Sequence, residues 1–181
     1  MIIKDGTGNG YEAKVNENNQ LKTLSVTEPY EHYLNHQKHQ SYSMIVSVTT
    51  AGAACILYLK NEDPLMDISV NPLRINVLAN CQLEIATTST GTPAGGSAIV
   101  PTNMYGGASS TANGTFQTGA NITGIVKGNV CTKLWLAGSY ETSNYDFATS
   151  IIIPRNGTMT WHIGEAATFN ATVYINYHPF L

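Results

Sequence analysis

The sequence predicts an all-β protein, a two-sheet β-sandwich of jelly-roll type preceded by an extended N-terminal arm. Short runs in which apolar and polar residues alternate recur from about residue 41, as in residues 73–77 (LRINV). Turn-forming residues separate these runs, for example at residues 61–64 (NEDP) and 71–72 (NP). Charged residues make up only 12 % of the chain, and Thr, Asn, Ser and Gly supply most of its polarity. These residue types favour strands and turns over helices.

The first 27 residues predict the arm. Short alternating runs at residues 1–4, 11–15 and 21–26 are separated by breaker-rich stretches at residues 5–10 and 16–20. A ribbon of strands and turns this short has little room for a core of its own, so we expect it to lie on a partner. The candidate partner-binding side chains are the apolar residues of these runs: Ile2, Ile3, Tyr11, Val15, Leu21, Leu24 and Val26.

The body is predicted over residues 41–181, and residues 1–40 form the arm and a linker. Residues 28–40 are the most charged segment and predict a linker or a short helix that begins near Pro29. Strands are expected at residues 42–49, 53–60, 66–70, 73–79, 82–88, 122–127, 131–137, 148–153, 158–163 and 168–178. The last run (TFNATVYINYH) alternates throughout and is the expected central strand, while Asn156-Gly157 predicts a hairpin turn.

Residues 89–121 interrupt this pattern with a long stretch of Gly, Ser, Thr, Ala and Asn. The segment is either a disordered surface loop or a segment ordered by packing on a neighbour. Its interleaved large side chains favour the second interpretation, since a flexible linker has little use for them. Together with two tyrosines of the loop at residues 138–147, they are the candidate subunit-interface residues: Met104, Tyr105, Phe116, Tyr140 and Tyr145. A surface this poor in charge also favours permanent assembly.

Composition argues against several classes of function. The net charge is −3, the pI is about 5.9 and the Lys and Arg residues are scattered, so we expect no nucleic-acid partner. No apolar stretch approaches the length of a membrane span, and the N-terminus does not resemble a signal peptide. The three cysteines, Cys55, Cys81 and Cys131, each lie in an apolar strand-like run and are expected to be buried thiols.

No catalytic constellation is visible, so we expect no enzymatic activity, no cofactor and no metal. The sequence lacks a Gly-x-Ser-x-Gly nucleophile elbow, and its acidic residues show no spacing typical of a glycosidase pair. His32, His36 and His39 could share a helix face as metal ligands, although a solvated or interface-facing helix is the simpler interpretation. The glycine-rich residues 5–10 precede a strand-like run, whereas a dinucleotide loop precedes a helix.

The aromatic residues of the second half leave two interpretations open. Two tryptophans and three tyrosines could line a sugar-binding face or contact neighbouring subunits: Trp135, Trp161, Tyr105, Tyr140 and Tyr145. Aromatic side chains at the edges of β-sandwiches serve both purposes. We favour the subunit contact.

The sequence also resembles a group of virion structural proteins of tailed bacteriophages. Residues 4–8 (KDGTG), 13–15 (AKV), 19–21 (NQL) and Val26 resemble the start of these proteins. Farther along, the chain is similar to the group in three more stretches: residues 113–115 (NGT), residues 122–124 (ITG), and the closing order IIP, NG and ATVYINYH between residues 152 and 178. The resemblance spans most of the chain.

The resemblance implies a non-enzymatic component of the phage particle, made in the bacterial cytoplasm and located in the virion. Within that group we expect an auxiliary capsid or decoration protein. Its arm would anchor it to another virion protein, such as the major capsid protein, and its body would self-associate, by analogy as a trimer. The alternative is a tail or adsorption-apparatus component that binds a host receptor or glycan, with Tyr140, Tyr145 and Trp161 as candidate contacts.

Overall fold

The computed structural model describes residues 2–4, 12–14, 40–106, 111–139, 142–145 and 150–179. These residues form antiparallel sheets without a helix, which confirms the predicted all-β class. The same described residues therefore contain no helix with the length and hydropathy of a membrane span. The strands are β1 (Ile2–Lys4), β2 (Glu12–Lys14), β3 (Ser41–Thr49), β4 (Ala54–Asn61), β5 (Met66–Val77), β6 (Cys81–Thr87), β7 (Thr90–Ala94), β8 (Ser97–Ala98), β9 (Thr102–Asn103), β10 (Gly114–Thr118), β11 (Thr123–Val126), β12 (Asn129–Leu136), β13 (Ser143–Tyr145), β14 (Ile151–Ile153), β15 (Thr158–Ile163) and β16 (Thr168–Pro179).

Two six-stranded sheets make up the body. Sheet I has the order β12-β6-β15-β4-β10-β8. Sheet II has the order β13-β5-β16-β3-β9, and β14 also pairs with β5. Successive long strands alternate between the sheets, since β3, β5 and β16 lie in sheet II whereas β4, β6 and β15 lie in sheet I. The inner faces of both sheets share one apolar core, the arrangement of a β-sandwich.

The predicted central strand is confirmed. β16 lies in the middle of sheet II and pairs with β3 along one side and β5 along the other. Its alternating apolar residues all face the core, where they are buried: Phe169, Ala171, Val173, Ile175 and Tyr177. The edge of the Tyr177 ring meets Tyr42 of β3 at a centroid distance of 5.7 Å. Because side chains alternate between the two faces of a strand, the apolar residues at every second position place one face of β16 in the core.

Two turn predictions need correction. Residues 71–72 do not separate two strands, because β5 runs through them and the pairing with β16 shifts register opposite that point. A bulge tolerates a proline that would remove a hydrogen bond from a regular ladder. Asn156-Gly157 does form a turn, closed by a 2.8 Å hydrogen bond from Gly157 N to Pro154 O, with Asn156 at a φ of 59°. However, it joins β14 of sheet II to β15 of sheet I, so it is not a hairpin.

The Gly- and Thr-rich segment is largely built into the body. We call residues 88–128 the insertion, of which residues 107–110 lie outside the described part. Within it, β8 and β10 extend sheet I, β9 extends sheet II, and β7 pairs with β11 in a small separate sheet. The segment is therefore ordered by this chain's own sheets, and the expectation that a neighbouring molecule orders it is not needed for these strands.

The cysteines divide between core and surface. Cys55 and Cys81 are buried, as expected, and burial raises the pKa of the Cys55 thiol to about 11. Cys131 is exposed, which corrects the expectation of three buried thiols. It lies on β12, where the register against β6 shifts between Val130 and Thr132, as at a β-bulge, and the first three residues of the strand are all exposed.

Candidate interaction surfaces

Within the predicted arm, the structure describes two short strands, β1 and β2. β1 and β2 pair antiparallel, with Ile2 opposite Lys14 and Ile3 opposite Ala13. This pairing matches the first two of the three predicted runs. The predicted linker or helix at residues 28–40, apart from its last residue, lies outside the described residues, as do the histidines at positions 32, 36 and 39. The same holds for the remaining predicted contact residues of the arm: Tyr11, Val15, Leu21, Leu24 and Val26.

The candidate subunit-interface residues fall into three environments. Met104 and Tyr105 follow β9 and are exposed at one edge of sheet II. Tyr145 is half-buried on β13 and packs against the core at the opposite side of that sheet. Phe116 is only 4 % exposed in the core, so packing within the chain already accounts for its presence in the insertion. Tyr140 lies outside the described residues.

The insertion covers part of the outer face of sheet I. Tyr58 of β4 and Cys55 pack there against Ile122 and the half-buried Ile125. The Ser89 hydroxyl lies 2.7 Å from that of Thr160, and both side chains are buried. These two hydroxyls therefore serve as hydrogen-bond partners for each other, which is the condition for burying them at little cost.

The outer face of sheet II is exposed along β3, at Ile45, Ser47 and Thr49, and partly exposed along β16. It presents the alternate residues of β3, β16 and β5, mostly Ser, Thr and Asn. Neighbouring strands pair them: Ser47 Oγ donates to Asn170 Oδ1 at 2.7 Å, and the hydroxyls of Thr49 and Thr168 lie 3.1 Å apart. The Arg74 guanidinium lies 5.8 Å from the centroid of the Tyr174 ring, so its charge rests on an aromatic face. The surface is broad, polar and nearly uncharged.

Ile45 is the large apolar side chain in the middle of this face. It is 71 % exposed on β3, beside Thr172 of the central strand. A shallow groove of about 580 Å³ runs past it, lined also by Arg74, Asn144 and Asn170. The sequence prediction did not include Ile45, although the sequence contains a signal for it. Tyr42, Met44 and Val46 occupy the alternate, inward positions of β3, so the large apolar side chain of Ile45 falls on the outward face.

A second cleft lies between the insertion and sheet I. Its volume is about 370 Å³, and its polar lining residues are Gln82, Glu84, Asn121, Lys127 and His162. The Glu84 carboxylate is bridged on both oxygens, to Lys127 Nζ and Lys133 Nζ, each at 2.6 Å. These two hydrogen-bonded lysines lower the pKa of Glu84 to about 2. Burial, reinforced by Lys127, lowers the pKa of His162, so this imidazole is neutral at pH 7.

The Glu84→Gln variant is expected to lose stability in a pH-dependent manner. A carboxylate whose pKa falls from an ordinary 4.5 to about 2 on folding stabilises the folded protein above pH 4.5, and this contribution is lost as pH falls toward 2. Both lysines are partly exposed, so we expect a difference of about 0.5–1 kcal/mol at pH 7. Urea unfolding of both proteins from pH 7 to pH 2 measures it. A difference that grows on acidification would contradict this assignment.

The two tryptophans have opposite environments. Trp161 is fully buried in the core and cannot contact a receptor or glycan, which corrects the expectation that placed it in such a site. Trp135 is 75 % exposed on β12, directly opposite Gln82 of β6. The phase of each strand explains the difference: Trp161 shares its inward face with Met159 and Ile163, whereas Trp135 shares its outward face with Lys133.

Within the described residues, no group of three or more His, Cys, Asp or Glu side chains could hold a metal ion. Comparisons with protein-family models, with curated proteins and with solved structures found no match.

Proposed function

We propose that this protein is a non-enzymatic structural component of a bacteriophage particle, most simply an auxiliary capsid or decoration protein. Its body self-associates through the outer face of sheet II, and its N-terminal arm anchors it to another virion protein such as the major capsid protein. The observation that supports self-association is the contrast between the outer faces of sheet I and sheet II. The insertion covers the outer face of sheet I at β4 and leaves Trp135 of the edge strand β12 exposed, whereas sheet II offers a broad, nearly uncharged face with Ile45 at its middle.

The chemistry of this face suits contact with a second copy. Charged residues are depleted in the cores of protein interfaces, because each must be desolvated or paired on association. The charged residues of these central strands are Arg74, whose guanidinium lies against the Tyr174 ring, and Asp67 at one end of β5, which is buried. Met104 and Tyr105 extend the apolar surface at the β9 edge of the same sheet. The trimeric state remains an analogy with the resembled group.

The placement in a virion is supported by the resemblance of the sequence to tailed-phage structural proteins. The pairing of β1 with β2 supports an extended ribbon at the N-terminus, of the kind that adds to a partner through its backbone groups. A tail or adsorption-apparatus component is the alternative, and the exposed Trp135 favours it as a surface for a host ligand. Immunogold labelling of purified particles distinguishes head from tail.

The Ile45→Glu variant is expected to convert an oligomer to a monomer in light scattering. It places a charge in the middle of the proposed interface, and an unpaired interfacial charge costs several kcal/mol. Val126→Glu is the matched control, because Val126 is similarly exposed but lies on β11, on the sheet I side. An unchanged solution mass for Ile45→Glu, or the same loss in both variants, would refute self-association through sheet II.

Deletion of residues 1–27 separates anchoring from self-association. We expect the truncated protein to keep its number of subunits in light scattering and its cooperative unfolding, yet to be missing from particles assembled in infected cells. Normal incorporation would exclude the arm as anchor. A monomeric truncation would instead identify the arm as the assembly element.

A further inference from the structure

The insertion and sheet I together form a cleft that self-association through sheet II does not use. The outer residues of β6, β12 and β15 line up in cross-strand rows at this end of sheet I. One row is Lys133, Glu84 and His162, and the next places Trp135 opposite Gln82. Cβ atoms of directly opposite residues lie about 4.5–5.5 Å apart, so Trp135 is a direct cross-strand neighbour of Gln82, which lines the cleft.

We propose that this cleft, with Trp135 at its rim, binds a neutral saccharide. Its volume of about 370 Å³ is near the lower end for small-ligand sites and suits one or two sugar rings. The electron-rich face of an indole attracts the polarised C–H bonds on the flat side of a pyranose. Because Trp135 is 75 % exposed, that face is available to a ring that extends from the cleft.

The polar lining matches the hydroxyl groups of a sugar. The Glu84 carboxylate accepts one hydrogen bond from a lysine on each oxygen, and each oxygen has a further lone pair for a hydroxyl donor. Lys127 and Lys133 each have further N–H donors. The side-chain amide of Gln82 makes no hydrogen bond to any residue that the structure describes, so its oxygen and nitrogen are both available. Ile122 and Ile125 supply an apolar wall.

The balance of charge favours an uncharged ligand. Lys127 and Lys133 are offset by Glu84 and by Glu165, whose carboxylate accepts the backbone N–H of Gln82 at 2.8 Å. A phosphate or sialic acid would find no net positive field there. A protein partner is also disfavoured, because lysine and glutamate are depleted from the centres of protein interfaces. A neutral sugar satisfies both the aromatic and the polar groups.

Saturation-transfer NMR tests this site with defined probes. The probes are D-glucose, D-galactose, D-mannose, N-acetyl-D-glucosamine, lactose and maltose, each at millimolar concentration. These sugars differ in configuration at C2 or C4, in the substituent at C2, or in the number of rings. We expect transfer to the ring protons of at least one sugar and none to glycerol, a polyol without a ring. Transfer to none of the sugars, or equally to glycerol, would overturn the proposal.

Variants assign the binding to the cleft. Trp135→Ala is expected to abolish transfer, and Gln82→Ala is expected to weaken the measured Kd about tenfold through loss of hydrogen bonds. Leu65→Ala, which truncates a similarly exposed apolar side chain on the turn between β4 and β5, is the control and should leave Kd unchanged. Binding retained by Trp135→Ala would overturn the proposal. Light scattering of Trp135→Ala separates this site from self-association, since its solution mass should match that of the parent.

Discussion

Trp161→Ala is expected to lower the free energy of unfolding by about 3–5 kcal/mol, the cost typical of removing a large buried aromatic side chain. Trp161 lies on β15 of sheet I, is 0 % exposed, and meets the ring of Phe169 on β16 of sheet II edge to face at 6.1 Å. It therefore bridges the two sheets at the centre of the core. The alanine variant leaves a cavity there and removes an aromatic contact worth about 0.5–1.5 kcal/mol. Urea unfolding measures the change.

Trp135→Ala is the matched control, because it makes the same substitution at an exposed position. We expect its unfolding free energy to stay within about 0.5 kcal/mol of the parent. Trp161→Phe provides a second comparison. Trp161 Nε1 is buried without a hydrogen-bond partner among the described residues, so phenylalanine keeps most of the volume and removes this donor. It should cost less than the alanine variant. Equal effects of alanine at positions 135 and 161 would contradict the description of the core.

Asn61→Ala is expected to destabilise the protein by about 3 kcal/mol. Asn61 ends β4 and is fully buried, and its Nδ2 donates to Met66 O at 2.9 Å and to Ile153 O at 3.2 Å. Its Oδ1 accepts from Asp63 N at 3.0 Å. One side chain thus ties the end of a sheet I strand to two strands of sheet II. Alanine leaves these backbone groups unpaired, and each buried unpaired group costs about 1–3 kcal/mol.

Thermal and urea unfolding of Asn61→Ala, compared with Asn129→Ala, measures this effect. Asn129 is exposed at the start of β12, and its side chain makes only a long 3.4 Å contact with Thr88 Oγ1, so we expect a change of at most about 0.5 kcal/mol. A loss in Asn61→Ala no greater than in the control would mean that water replaces the three hydrogen bonds.

Much of the fold was predictable from local patterns. The strand at residues 158–163 was predicted at the bounds observed for β15, and the alternation of β16 correctly identified its inward face. The turn at residues 61–64 was also correct, because Asp63 Oδ1 accepts the backbone N–H groups of Leu65 and Met66, as aspartate does in turns. These features depend on neighbouring residues, so a single stretch of sequence contains the information.

The errors concern pairings between distant segments. Asn71-Pro72 has the composition of a turn, yet β16 runs past it and accommodates it as a bulge. Phe116 indicated a neighbouring subunit, yet β10 pairs with β4 and directs this ring into the core. The candidate surfaces also depend on contacts between distant segments. Trp135 was considered without the neighbouring cleft, because the pairing of β6 with β12 and the position of the insertion are not local properties. Ile45 was not singled out, although the alternation of β3 places it on the outward face.

The sequence by itself determined the β class, most strand positions and the inward face of the most regular strands, such as β16, because a period of two and turn chemistry are local properties. Only the tertiary structure decided which sheet each strand joins and which outer face stays open. Thr160 and Thr172 both occupy polar outward positions in alternating strands, yet Thr160 is buried beneath the insertion whereas Thr172 lines the open groove of sheet II. That difference arises from the pairing of Ser89 with Thr160, residues 71 positions apart, and no local pattern specifies such a contact.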